Sequence, residues 1–312
     1  MYYVQKIIKG KKYKYAARSV RLPDGRVVSL NKKYGGESRK ELEKIFERME
    51  REENTRYVVK RFGTDHIFTK DQLGKMEEIR LDYRKIIRKI PKESIQDLWD
   101  RFTVNFTYES NALEGNSLTL KDVAIVMFEN ASIKGKDLRE IYETRNSRQV
   151  VDMIIRNKFD VSHGSIIKMH RILVKDISIR TGYKKIPNFI LGRKVETTPP
   201  EKVYGEMDKL ISWYDENTGK IHPVKLAAIF HGKFERIHPF EDGNGRVGRF
   251  LMNIILTKGG YPPLIIRKSQ RVSYLKTLES FDSGHQDALV RFTLEKFKET
   301  YRKFFEVYVK YV

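Results

Sequence analysis

From position 238 to 249 the chain reads His-Pro-Phe-Glu-Asp-Gly-Asn-Gly-Arg-Val-Gly-Arg. An imidazole such as His238 titrates near working pH and suits a general base. The carboxylate of Asp242 could hold a divalent ion bridging phosphates. Gly243 and Gly245, on either side of Asn244, remove side chains where a backbone must approach a ligand. If a helix ends at His238 and another begins at Gly245, the second offers free N–H groups and a partial positive charge, an anion site. Arg246 and Arg249 stand at i,i+3 on one face of its first turn. Cations are unfavourable there by themselves, so their presence implies a compensating anion. A tight turn with incidental charges explains Asp-Gly-Asn-Gly alone. The full run assembles a base, a metal carboxylate and a phosphate cradle, which points to chemistry on a nucleotide.

The elements around this run read as mostly helical. Residues 1–34 are expected to form strands, with a turn at Leu22–Arg26. Helices are predicted at 37–54, 71–88 and 94–105, and from Leu120 with Thr119 as its cap. More are expected at 135–157, 164–176, 200–216, 223–236, 245–258 and 270–281, and from Asp287 onward. Residues 181–200 break the helical pattern, and β-branched and apolar residues around Gly192 predict a hairpin flap. The expected organisation is a basic N-terminal β-hairpin/helix domain at 1–70, a helical region at 71–130 and a catalytic core with C-terminal helices at 131–312.

At 312 residues the chain can bury a full core. It has no cysteine, which excludes disulfides and thiolate metal sites and suits a cytoplasmic protein. No run of about 18 apolar residues occurs, and no membrane partner is expected. The net charge is +21, and residues 1–36 hold ten Lys/Arg against the single acid Asp24. That surplus is a solvated surface, or a contact for nucleic acid or an acidic protein.

The string His-Pro-Phe-x-Asp-Gly-Asn-Gly-Arg-x-x-Arg resembles the full signature of Fic-domain proteins. The resemblance continues into Pro223–Ala228 before it and Gly260–Leu264 after it, and spans about residues 95–300. It implies a mainly α fold: a Fic-type helical bundle with a β-hairpin flap, here preceded by the small basic α+β N-terminal domain. It further implies transfer of AMP from ATP, with Mg2+, to a Ser, Thr or Tyr hydroxyl of a target protein and of the chain itself. His238 would then deprotonate the hydroxyl and Asp242 bind magnesium. The Gly243, Asn244 and Gly245 region would cradle the α-phosphate, Arg246 the β-phosphate and Arg249 the γ-phosphate. Phe240 would anchor the loop in the core. A relative acting as a kinase carries lysine at the position of Gly245, so glycine here favours AMP transfer. Homodimers are frequent in the family, which adds a homodimer to the expected partners.

Residues 110–115, Ser-Asn-Ala-Leu-Glu-Gly, resemble the family's inhibitory pattern. Glu114 could fork onto Arg249 and deny it to the γ-phosphate, with Ser110 at the head of the motif. In some relatives the same glutamate helps to remove AMP, a second candidate role for Glu114. Asn188, Phe189, Ile190, Leu191 and Gly192 would form the part of the flap that docks an extended target strand. His231 and Glu235 stand at i,i+4 without a third ligand, and Lys268, Arg271 and Tyr274 could border the nucleotide pocket. The leading reading is an autoinhibited protein adenylyltransferase. The alternative is a nucleic-acid-binding regulator that uses the basic N-terminal region beside a Fic core of minor or different transfer activity.

Overall fold

A computed structural model of the chain describes residues 1–156, 158–190 and 196–312. The chain divides into two compact units, Met1–Leu81 and Asp82–Val312. In the first, β1 (Tyr2–Ile8), β2 (Lys11–Arg21) and β3 (Val27–Lys33) form an antiparallel sheet in the order β1-β2-β3. The β2–β3 turn falls where the sequence predicts it, with Gly25 at φ 87° and Leu22 N–H donating to Arg26 O at 2.9 Å. Helix α1 (Arg39–Phe62) starts on a reciprocal capping box between Ser38 and Glu41. Its Leu42 and Phe46 close a core with Ala16, Val20 and Leu30 of the sheet. The helix runs eight residues past the predicted end at Asn54 because Asn54 and Val58 are buried, and it stops at Gly63. Helix α2 (Lys70–Lys89) follows.

The second unit is helical: α3 (Lys92–Leu113), α4 (Leu120–Phe128), α5 (Leu138–Ile155), α6 (His163–Leu173), α7 (Pro200–Asn217), α8 (Pro223–Ile237), α9 (Asn244–Lys258), α10 (Arg271–Asp282) and α11 (Asp287–Thr300). Thr119 caps α4 as expected, and Asp122 returns the bond in a capping box. Helix α3 also outruns its predicted end, at residue 105. Thr107, Asn111 and their neighbours are modest helix formers. They remain helical because Phe106, Thr107, Ser110, Asn111 and Leu113 are all buried, so packing overrides propensity. Phe106 meets Phe250 of α9 with ring centroids 5.0 Å apart, which sets the C-terminal half of α3 alongside α9.

Helices α8 and α9 form the centre of this unit, and the signature run is the turn between them. Gly248 makes their close approach possible, since a β-carbon there would lie 2.5 Å from Glu235 Oε1 and 2.9 Å from His231 Nδ1. Among the described residues of 181–199 no strand forms. The expected hairpin is therefore not present in that part, and Leu191 and Gly192 lie outside the described residues.

Candidate active site

The turn after α8 is built to hold one shape. His238 caps α8 in the left-handed region, φ 50° and ψ 62°, with its N–H on Phe234 O. Four residues on, Asn244 clasps the loop: its Oδ1 accepts Phe240 N–H and its Nδ2 donates to Phe240 O, both at 2.8 Å. Asn188 Nδ2 donates to the same carbonyl at 2.6 Å, and Lys184 N–H donates to Pro239 O at 2.8 Å. Phe240 is fully buried, as the sequence suggested, and full burial of such a ring stabilises by about 2–3 kcal/mol. It stacks on His170 at 3.8 Å, and His170 Nε2–H donates to Asp242 O at 3.0 Å. The side chain of Asn244 is thus spent inside the loop, and only its backbone faces a ligand. Asn188 likewise ties its segment to the loop, while Phe189 is 88% exposed.

A cavity of about 280 Å³ opens over this turn, lined among others by His238, Asp242, Gly243, Gly245, Arg249 and Glu114. Phe189, Ile190, Arg271 and Tyr274 also border it. Lys268 does not; its backbone N–H instead donates to Glu109 Oε2 of α3 at 2.6 Å. His238 Nδ1–H donates to Glu235 O at 3.3 Å. That bond keeps the proton on Nδ1 and the lone pair on Nε2, the form a general base needs. Gly243, at φ 81°, begins α9, whose first N–H groups have no intrahelical acceptor.

Arg249 is 4% exposed, and its guanidinium is engaged by the motif upstream. Nε donates to Ser110 Oγ and Nη2 to Ser110 O, each at 2.9 Å, and Nη2 reaches Glu114 Oε1 at 2.8 Å. Glu114 occupies the C-cap of α3, and Gly115 at φ 100° turns the chain away. A β-carbon at Gly245 would collide with Glu114 Oε1 and lie 2.9 Å from Arg249 Nη1. Glycine at 245 therefore makes room for this ion pair, a role its place in a phosphate cradle did not suggest.

Asp242 also has an opposite charge on it: Arg139 of α5 is hydrogen-bonded to its Oδ2. Arg139 reaches Glu143 Oε1 at 3.2 Å, and Glu143 in turn faces Arg246 Nη1 at 3.4 Å. Asn116 Nδ2 steadies Glu143 Oε2 at 3.1 Å. Arg246 is almost wholly buried and does not border the cavity. Its Nε and Nη1 have no hydrogen-bond partner among the described residues.

Comparison with known proteins agrees with the signature. Residues 160–256 match the Fic/DOC family. They are a Fic domain. The adenylyltransferase fic-1 of Caenorhabditis elegans is 30% identical over 194 residues, 60% of this chain and 38% of that protein. The adenylyltransferase Fic of Drosophila melanogaster is 30% identical over 198 residues, 62% of this chain and 40% of that one. The chain thus spans about two fifths of the length of these curated relatives. A Fic domain containing signaling protein from Bacteroides thetaiotaomicron superposes with a TM-score of 0.66 at 27% identity, over 72% of this chain and 93% of that one. The mainly helical architecture expected for a Fic fold is the one found.

Within the Fic domain His170 supports the turn from beneath, and the sequence offered no sign of it beyond a histidine on the inner face of α6. Burial pushes its pKa from 6.5 down to about 4, outweighing the Asp242 carbonyl and carboxylate, while Arg246 adds to the lowering. The folded state thus favours neutral His170. Its contribution is complete above the unfolded pKa of about 6.5 and is lost as pH falls toward about 4, a total of about 3 kcal/mol. Between pH 7 and about pH 4, wild type should therefore lose about that much more stability than His170→Gln in urea unfolding. Parallel losses in the two proteins would remove His170 as the source. Nearby, burial lowers the Lys184 pKa to about 8, and its Nζ donates to Asn188 Oδ1 at 2.6 Å and Thr197 Oγ1 at 2.9 Å.

Proposed function

We propose that this chain is a protein adenylyltransferase held inactive at rest by Glu114. The observation that carries the reading is Arg249, which reaches from the first turns of α9 into the cavity beside His238 and grips a carboxylate there. The cavity thus has a guanidinium placed for an oxyanion next to a candidate base. The naming of the curated relatives as protein adenylyltransferases supports AMP as the group transferred.

In this reading His238 Nε2 takes the proton of a target hydroxyl as its oxygen attacks the α-phosphorus of ATP. The new P–O bond forms while the bond from the α-phosphorus to the bridging oxygen breaks, and pyrophosphate leaves with that electron pair. The N–H groups of Gly243, Asn244 and Gly245 meet the negative charge that builds on the α-phosphate. Arg246, with its buried unused donors, is assigned to the β-phosphate and Arg249, once released, to the γ-phosphate. Phe189 and Ile190, at the rim, would receive the target segment.

Among the described residues no three His, Asp or Glu side chains gather to hold a metal by themselves. Four carboxylates among the described residues line the cavity, Glu114, Glu235, Glu241 and Asp242. Glu114 is engaged by Arg249, and Asp242 is the one set in the turn beside Gly243. That carboxylate suits magnesium, which is commonly held by one or two carboxylates together with substrate phosphates. Bound there it would neutralise charge on the polyphosphate. Arg139 occupies the same carboxylate, so Arg139→Ala should raise the affinity of the nucleotide-free protein for Mn2+ about five-fold, the worth of a half-exposed ion pair of ~1 kcal/mol. Unchanged Mn2+ binding by electron paramagnetic resonance would show that the arginine and the ion do not compete.

The transfer itself is tested with ATP labelled at either the α- or the γ-phosphate. Label from the α position should become protein-bound and label from the γ position should not. Transfer of the γ label instead would make the chain a kinase and overturn the reading.

A further inference from the structure

The N-terminal sheet has two unlike faces. On one, Ala16, Val20 and Leu30 pack on α1, and two cations meet acids that follow β3: Arg18 meets Glu50 at 3.4 Å and Lys32 meets Glu37 at 3.2 Å. Lys12 and Lys14 on the same face form no ion pair among the described residues, and Lys14 lies over Tyr3 at 4.4 Å. The strand register puts Tyr2, Lys6, Lys11, Tyr13, Tyr15, Arg21 and Lys33 on the other face. That face carries no helix of its own unit and no carboxylate. Its four cations are exposed, and none forms an ion pair among the described residues. Two of them lie against tyrosine rings, Lys33 over Tyr13 at 4.3 Å and Lys6 over Tyr15 at 5.1 Å.

We infer that this face of the sheet binds single-stranded nucleic acid. The basis is the face itself: four exposed cations stand among three tyrosines with no carboxylate on the same side of the sheet. A polyanion supplies the missing charge. A folded acidic protein could do so too, but the tyrosines separate the cases. Aromatic rings set in an open sheet present flat surfaces on which unpaired bases stack, while lysines beside them meet the phosphates between those bases. In a duplex the bases are already stacked on each other and offer the rings no such surface. Gly10, at φ 77° in the β1–β2 turn, and Lys9 keep the end of the platform open and basic.

Binding of the full chain to a fluorescent 20-nucleotide single strand, to the same sequence as a duplex and to poly-glutamate tests the inference. Each phosphate neutralised on a single strand contributes about −0.7 to the slope of log affinity against log salt, so four cations give a slope of about −3. Affinity should then fall about fifty-fold between about 50 and 200 mM salt. Lys6→Gln and Lys33→Gln should each flatten the slope by about 0.7. Tyr13→Leu/Tyr15→Leu should weaken binding at least ten-fold with the slope unchanged, because stacking involves no counterion. Lys32→Gln, on the helix side, serves as the control and should leave both quantities alone. Unfolding midpoints close to wild type for each variant keep the comparison on the surface and not on the fold. The inference is overturned by duplex binding as tight as single-strand binding, by equal capture of poly-glutamate, or by indifference to the tyrosine pair.

Discussion

Glu114→Gly should raise the initial rate of AMP incorporation by ten- to a hundred-fold, the range spanned by a charge-assisted hydrogen bond of about 1.5–3 kcal/mol. The direction follows from what Arg249 loses and gains. In the wild type its Nη2 is shared by Glu114 Oε1 and the Ser110 carbonyl. Without the carboxylate, the Ser110 bonds still hold the guanidinium in place, and one side of it turns to the nucleotide. Removal of Glu114 also removes the nearest atom that a side chain at Gly245 would meet. The measurement is the mass or label of AMP-modified protein with ATP saturating. Equal rates in mutant and wild type would remove the inhibitory role of Glu114.

His238→Asn should lower the same rate by about 10²–10⁴-fold, the usual contribution of a positioned base. Asparagine is preferred to alanine here for a backbone reason. Position 238 sits at φ 50°, where Asn is tolerated and most other residues are strained by about 1–2 kcal/mol. The turn should therefore survive, and ATP should still protect the variant against unfolding as well as it protects wild type. Introduced into the Glu114→Gly background, the change should abolish the gain. Activity retained in the double variant would assign the proton to another group.

Much of this site was legible because it is local. The signature packs its base, carboxylate, glycines and arginines into a dozen consecutive residues, and each spacing has a direct reading in a turn followed by a helix. The Ser110–Glu114 contact with Arg249 spans well over a hundred residues, yet it too was legible, through resemblance and not through spacing. What stayed hidden was the support. Arg139, Glu143 and Asn116 lie on other elements and carry no pattern that marks them, and only their convergence in space brings them to Asp242 and Arg246. His170 was indistinguishable from any core histidine. In the fold the misreadings were at helix ends. The stretches 55–62 and 106–113 are polar or weak helix formers whose state is decided by burial. The predicted hairpin rested on apolar and β-branched residues around Gly192 and on the family resemblance, and among the described residues of 181–199 neither is matched by a paired strand.

The anchoring of α3 sets the kind of control that Glu114 can exert. The helix is buried through its last two turns, Arg271 Nε donates to Leu113 O at 2.9 Å, and Glu109 is bound by Lys268 N–H. Glu114 is thus tethered on a rigid arm, and only its own torsions bring it on and off Arg249. Under the proposed function, once ATP is seated the carboxylate and the γ-phosphate would compete for one guanidinium within the same complex. Such a contest is unimolecular, and its outcome is a fixed ratio that added nucleotide does not shift. The rate advantage of Glu114→Gly should accordingly stay level as ATP rises from near KM to saturation. Under the proposed function, a greater ATP supply would not release the activity, and control would have to reach the few bonds around a single side chain.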